Sequence, residues 1–151
     1  MILLTQIPFQ EIPMNLLLMA DPSEDQIRKY LQNSWCLAAK RDDQILGVLI
    51  LSPANSLKAE IKNIAVYDEY QGQGIGKKLL QKAQALAQEK GFHQIQIATG
   101  NSSIGQLALY QKMGFEPIRI EKDYFLKHYN EPIMENGIAC KHRILLEKAL
   151  M

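Results

Sequence analysis

The chain has 151 residues, 47% hydrophobic and 22% charged, which suits one globular domain spanning 1–151 with material for a core. Lys and Arg number 17 against 16 Asp and Glu, a formal net charge of +1, so no field exists to hold a polyanion in physiological salt and nucleic acid is set aside as a partner. Two cysteines without CxxC or scaffold spacing, no His, Cys and carboxylate cluster at ligand spacing, and no apolar run near the roughly 18 residues of a membrane span argue against a disulfide-held module, a metal site and a membrane protein.

Residues 1–4 lack the basic region and cleavage site of a signal peptide, so a cytoplasmic location is expected. Residues 2–4 predict a short strand and residues 12–20 an apolar helix lying over a sheet. Asp21 as cap, Pro22 at the first helical position and Glu24 as reciprocal partner predict a second helix, with Ile27, Tyr30 and Leu31 on its inner face. Residues 35–40 and 44–51 are apolar runs of strand length around the polar turn 41–43, an antiparallel hairpin in which Gly47 predicts a close backbone approach. After a loop at 53–56, residues 59–66 predict a further strand, and the polar stretch 67–73 opens a helix.

Between Gly76 and Glu89 the apolar positions 79, 80, 83, 86 and 87 form a helical stripe, with Gly91 as its stop. Residues 93–98 predict a strand. Ser103 and Gln106 predict a capping box for a helix burying Ile104, Leu107 and Ala108, and Gly114 before Phe115 its left-handed exit. A strand at 115–120, an aromatic-rich segment, the hairpin dipeptide Asn136-Gly137 and a last strand at 138–146 complete the order. Cys36 and Cys140 fall in apolar runs that read as strands and are expected as buried free thiols.

The most informative stretch is Gln71-Gly72-Gln73-Gly74-Ile75-Gly76-Lys77, between a strand and the first turn of a helix. Free N–H groups and the positive end of the helix dipole point outward there, and glycines admit a ligand close to the backbone. Such a loop suits a diphosphate, with Lys77 as a nearby cation. A P-loop is excluded, because its first glycine would fall on Gln71 and the residue after Lys77 is Lys78 rather than Ser or Thr. A dinucleotide fingerprint lacks its third glycine, where Lys77 stands.

Gln71, Gly74 and Gly76 match Q/R-x-x-G-x-G/A, and in this they resemble the coenzyme A signature of the GNAT superfamily of N-acetyltransferases. The context resembles the family too: the apolar strand Ile64-Ala65-Val66 precedes the loop, and Tyr110, Gly114 and Phe115 form the ending Tyr-x-x-x-Gly-Phe. The resemblance covers residues 35–120 by motif and the rest by order of elements. It implies an α/β (α+β) fold, a central mixed and mostly antiparallel sheet splayed between two parallel central strands and flanked by about four helices. It also implies acetyl-CoA as cosubstrate and a small-molecule or peptide amine as acceptor, in a monomer or homodimer.

By the same resemblance, pantetheine lies along the strand at Ile64, Ala65 and Val66, and the diphosphate rests on the main-chain N–H groups of Gln71, Gly72, Gln73, Gly74, Ile75, Gly76 and Lys77. Asn101 matches an asparagine that contacts the pantetheine arm, or is a plain cap or turn residue. Tyr110 stands where the family protonates the coenzyme A sulfur, or is a core tyrosine with its hydroxyl at the surface. Glu60, eleven residues before Gln71, stands where the histone-modifying branch keeps its base, or is a solvent-facing strand carboxylate between Lys58 and Lys62. The Val66 N–H is expected to stabilise the oxyanion. Residues 123–131, together with Met19, Asp21 and Trp35, are expected to line an acceptor pocket or to be ordinary packing, and His128 is read as a surface residue. The alternative to an enzyme is a noncatalytic acyl-CoA-binding module.

Overall fold

Apolar segments of strand length in the N-terminal half form four strands that pair in the order of the chain. In the computed structural model, which describes residues 1–150, these are β1 (Leu3–Ile7), β2 (Trp35–Arg41), β3 (Gln44–Pro53) and β4 (Lys58–Val66), all antiparallel. They belong to a first compact unit, residues 1–95 with Leu150, which also holds α1 (Met14–Ala20), α2 (Glu24–Leu31) and α3 (Ile75–Glu89). The second unit, residues 96–149, holds most of β5 (Gln94–Gly100), then α4 (Ile104–Lys112), β6 (Glu116–Glu121), α5 (Tyr124–His128), the two-residue strands β7 (Met134–Glu135) and β8 (Ile138–Ala139), and β9 (Arg143–Ala149). The fold is mixed α/β with mostly antiparallel strand pairing. Among the described residues no helix is long and apolar enough to cross a membrane.

Successive residues of β3 face opposite sides, and each side meets its own helices. Val48 and Ile50, with Cys36, Ala38 and Ala65 on neighbouring strands, pack against Leu16 and Leu17 of α1 and Ile27 and Leu31 of α2. Gly47 faces the other side: a Cβ there would lie 3.0 Å from the Ala65 carbonyl oxygen, 3.1 Å from Val66 Cγ2 and 3.3 Å from Leu79 Cδ1 of α3. The missing side chain at Gly47 is therefore what lets α3 settle on the sheet. The α3 stripe at 79, 80, 83, 86 and 87 is buried as its spacing predicts, and Gly91, at φ 91°, ends the helix.

Several local expectations are corrected. The cap of α2 is Ser23, whose Oγ accepts from Gln26 N at 3.2 Å, while Asp21 Oδ1 accepts from Ser23 N at 3.1 Å. The hydroxyl three residues before Gln26 fits a capping box better than the aspartate, so the helix starts two residues late. In α4, Ile104 (53% exposed) and Ala108 face solvent, Leu107 is half-buried, and the residue that turns inward is Tyr110. Apolar residues surround α4 on nearly every side, so spacing did not select a face; ring packing of Tyr110 on Phe115, centroids 6.3 Å apart, does.

The capping box at Ser103 does not form, because Ser103 Oγ donates instead to Glu135 Oε1 at 2.7 Å, joined by Ser102 Oγ at 3.2 Å. Asn136 and Gly137, at φ 56° and 72°, make the predicted tight turn between β7 and β8. The predicted strand at 138–146 is broken, since Asn101 Oδ1 takes the backbone N–H groups of Lys141 (2.8 Å) and His142 (2.9 Å) that a strand would need. Cys140 consequently lies outside a strand, yet it is buried, as is Cys36 in β2.

Replacing Gly47 by Val should destabilise the protein by about 1–3 kcal/mol, the usual effect of overpacking. A lowered urea midpoint with an unchanged slope is the expected result.

Candidate functional site

Gly72 and Gly74 sit at φ 79° and 81°, a region only glycine enters freely, and a Cβ on either would meet nothing within 4 Å. Backbone conformation, not crowding, therefore selects glycine here. Gly74 caps α3 in the left-handed conformation with no side chain bonded to the helix start, and the first helical bond runs from Lys78 N to Gly74 O at 3.1 Å. The N–H groups of residues 75–77 thus have no acceptor in the helix. Gln71 to Gly74 and Lys77 are exposed, Gly76 is half-exposed, and Ile75 is buried under the turn as its anchor. This donor set, open to solvent and carrying the positive end of a 15-residue helix, fits an anion such as a diphosphate.

The Gln71 side chain fastens the loop to β4, its Nε2 donating to Val66 O at 3.0 Å and to Asp68 Oδ1 at 3.2 Å. The register of β4 explains why the Val66 carbonyl is open to it. Tyr67 N donates to Leu46 O at 3.0 Å, and Gly47 is opposite Val66 and Val48 opposite Ala65. In an antiparallel ladder hydrogen-bonded pairs alternate, so Ala65 exchanges bonds with β3 while Ile64 and Val66 turn their N–H and C=O groups away from it. Ile64, Ala65 and Val66 are therefore not equivalent; the outer two present backbone polar groups on the edge away from β3.

Farther back in β4 the register slips: Ile50 is opposite Asn63 but Leu51 is opposite Ile61, leaving Lys62 as an extra residue. Ile50 and Ser52 share a face of β3, and directly opposed residues share a face, so the bulge brings Glu60, opposite Ser52, to the same side as Asn63. Glu60 is 6% exposed and pairs with Lys62 Nζ at 3.0 Å, so it is not the solvent-facing carboxylate that its lysine neighbours suggested. Its companions on this face were not singled out from the sequence. Asn63 is 5% exposed, and its Nδ2 donates to Leu17 O and to Tyr30 Oη, each at 3.1 Å. Ser52 Oγ meets Ser34 Oγ, which also bonds Tyr30 O. A buried polar run inside an apolar strand was the available signal, and Asn63 between Ile61 and Ala65 carried it.

In the second unit, Tyr110 is 3% exposed, and burial raises its phenol well above the ordinary value. Its hydroxyl is thus not at the surface. Asn101 is a clasp: besides the two bonds received by Oδ1, its Nδ2 donates to Ala139 O at 3.1 Å and its own N–H to His142 O at 2.9 Å. Residues 124–129 form an aromatic stack in which His128 lies 4.3 Å from the Tyr124 ring, and the Arg143 guanidinium covers Tyr124 at 4.9 Å. Of the residues expected near an acceptor in the first unit, Trp35 packs edge-on against Phe92 at 6.0 Å, and Met19 is 47% exposed. An open groove of ≈ 430 Å³ lies beside the glycine loop, with Glu11, Asp43, Glu69, Tyr67 and Tyr70 among its walls.

The chain is similar in sequence and fold to known proteins. The sequence model described as "Acetyltransferase (GNAT) family" matches residues 8–115. The uncharacterized N-acetyltransferase YvbK of Bacillus subtilis (strain 168) is 46% identical over 132 residues, 87% of this chain and 85% of that protein. The solved structure of an IAA acetyltransferase from Bacillus cereus ATCC 14579 superposes with a TM-score of 0.96 at 47% identity, covering 99% of this chain and 100% of that one. A GNAT family acetyltransferase from Elizabethkingia anophelis, solved with acetyl-CoA bound, has a TM-score of 0.95 at 44% identity over 99% of this chain and 98% of its own.

Burial raises the phenols of both Tyr110 and Tyr30 above the value of about 10 they take in the unfolded chain. The folded protein holds these protons more tightly, so their contribution is intact below about pH 10 and is lost as the pH climbs toward the folded values. Urea melts of wild type and Tyr110→Phe from about pH 9 to 11.5 should show a shallower alkaline loss of stability in the variant.

Proposed function

We propose, on the premise that this chain belongs to the acetyltransferase (GNAT) family, that it carries the acetyl group of acetyl-CoA directly to the primary amine of a small molecule or peptide while both are bound. As a member of that family it is an acyltransferase. The observation that supports this reading most is the open, uncapped start of α3 behind two left-handed glycines. A diphosphate on those N–H groups would leave the pantetheine arm free to follow the outward-turned groups of Ile64 and Val66. Asn101, with one Nδ2 hydrogen committed to Ala139 O, keeps a second hydrogen with which it would contact the pantetheine arm. In this proposal the whole chain serves as one catalytic domain.

Bound coenzyme supplies the activated acetyl group as a thioester; the remaining tasks fall to the protein. An amine of pKa about 10.4 is neutral only about once in 2,500 molecules at pH 7, so a base is useful. Glu60, kept from solvent on the inner face of the β4 bulge, takes the amine proton directly or through water. The Val66 N–H, turned away from β3, donates to the carbonyl oxygen as it gains charge. As the C–N bond forms and the C–S bond breaks, Tyr110 gives its phenolic proton to the departing sulfur. Burial keeps that proton in place at neutral pH until the thiolate develops.

Tyr110→Phe should lower turnover by about 10² to 10⁴ with coenzyme A affinity nearly unchanged, read by thiol release and calorimetry; an unaltered rate removes Tyr110 from the mechanism. Gly74→Val should weaken coenzyme A binding by about tenfold or more, because a β-branched residue resists the left-handed conformation that aims the helix start. Absence of any heat with coenzyme A or acetyl-CoA on folded wild-type protein would overturn the function.

A further inference from the structure

We propose that Asn63 is the residue that orients the acceptor: its Oδ1 accepts one N–H of the attacking amine, beside Glu60, and so selects primary amines. This rests on the function proposed above. Asn63 is 5% exposed, and both hydrogens of its Nδ2 are engaged, one by Leu17 O and one by Tyr30 Oη. Its carbonyl oxygen is buried with no hydrogen-bond partner. The amide cannot simply be turned over, because Leu17 O is only an acceptor and must face the NH₂ end. A buried carbonyl held in place and left unmatched is uncommon in a folded protein, and a donor from outside the chain would complete it.

The chemistry of the transfer calls for such an acceptor. A neutral primary amine attacks with its lone pair, which leaves two N–H bonds pointing back into the protein. One proton leaves to Glu60. The other stays on nitrogen and becomes the amide N–H of the product, so it needs a neutral acceptor throughout. A carboxylate in that place would favour the protonated, unreactive ammonium; an amide carbonyl does not.

The register of β4 brings both groups to one face. Lys62, the extra residue, brings Glu60 and Asn63 to the same face of the sheet, the one covered by α1 and α2. Leu17 belongs to the last turn of α1, and two residues on, Met19 is 47% exposed, so the polar site lies within a turn of solvent. A secondary amine has a single N–H, which Glu60 takes, and it leaves Asn63 Oδ1 unmatched.

The test compares 1-butylamine with N-methylbutylamine, each normalised to its uncatalysed reaction with acetyl-CoA. Wild type should favour the primary amine by about tenfold in kcat/KM, roughly one net hydrogen bond. Asn63→Leu should lose that preference while its KM for acetyl-CoA stays the same. A preference that survives in Asn63→Leu, or is absent from wild type, overturns the proposal. If the variant does not fold or neither amine turns over, the Asn63 ¹³Cγ resonance of wild type decides: a saturable shift on adding 1-butylamine to the coenzyme A complex supports the contact, and a resonance that does not move overturns it. Failure to bind coenzyme A would instead remove the underlying function, and calorimetry reads that separately.

Discussion

Backbone hydrogen bonding at the end of β4 organises the whole candidate site. A buried chain must match its N–H and C=O groups, and β4 does so with β3 at alternate residues only. Past Tyr67, whose N–H closes the ladder on Leu46, the chain passes through residues 68–74 and reaches a helix whose first N–H groups have no acceptor within the helix. Gln71 spans the interval by bonding the Val66 carbonyl, so strand edge and helix start are held in a fixed relation. The first N–H groups of α3 then lack helical acceptors and stand at a positive helix end. Such a helix start suits an anion through main chain alone, and the left-handed turns that form it call for glycine rather than for charged side chains.

Side-chain chemistry is set by an irregularity a few residues earlier. Without Lys62 as an extra residue, Glu60 and Asn63 would lie on opposite faces of the sheet, since an odd separation in a regular strand reverses direction. The bulge therefore places a carboxylate and an amide on one side of an otherwise apolar layer. Gly47 serves the opposite face, where its lack of a side chain lets Leu79 of α3 approach the sheet. One pair of strands thus supports polar chemistry on one side and tight helix packing on the other.

Much of this was legible in the sequence because periodicity and turn chemistry act locally. The α3 stripe, the hairpin around Asp42, the exits at Gly91 and Gly114 and the Asn136-Gly137 turn each follow from residues a few positions apart. What escaped depends on distant partners. Ser103 lost its cap to Glu135, and residues 141 and 142 left the strand because Asn101 took their amides. The inner face of α4 follows Tyr110 rather than Ile104, because Tyr110 finds an aromatic neighbour in Phe115. Glu60 and Asn63 share a face through a slip in register, and no spacing rule in a single strand reports a slip against its neighbour.

The two cysteines carry a consequence for a protein that handles a thioester. Cys36 is 2% exposed, with its thiol pushed up to about 11 by burial, and Cys140 is 6% exposed. Thioester exchange needs an accessible thiolate; both sulfurs are buried, and the Cys36 thiol resists ionisation as well. The folded chain thus offers a thioester little cysteine to exchange with.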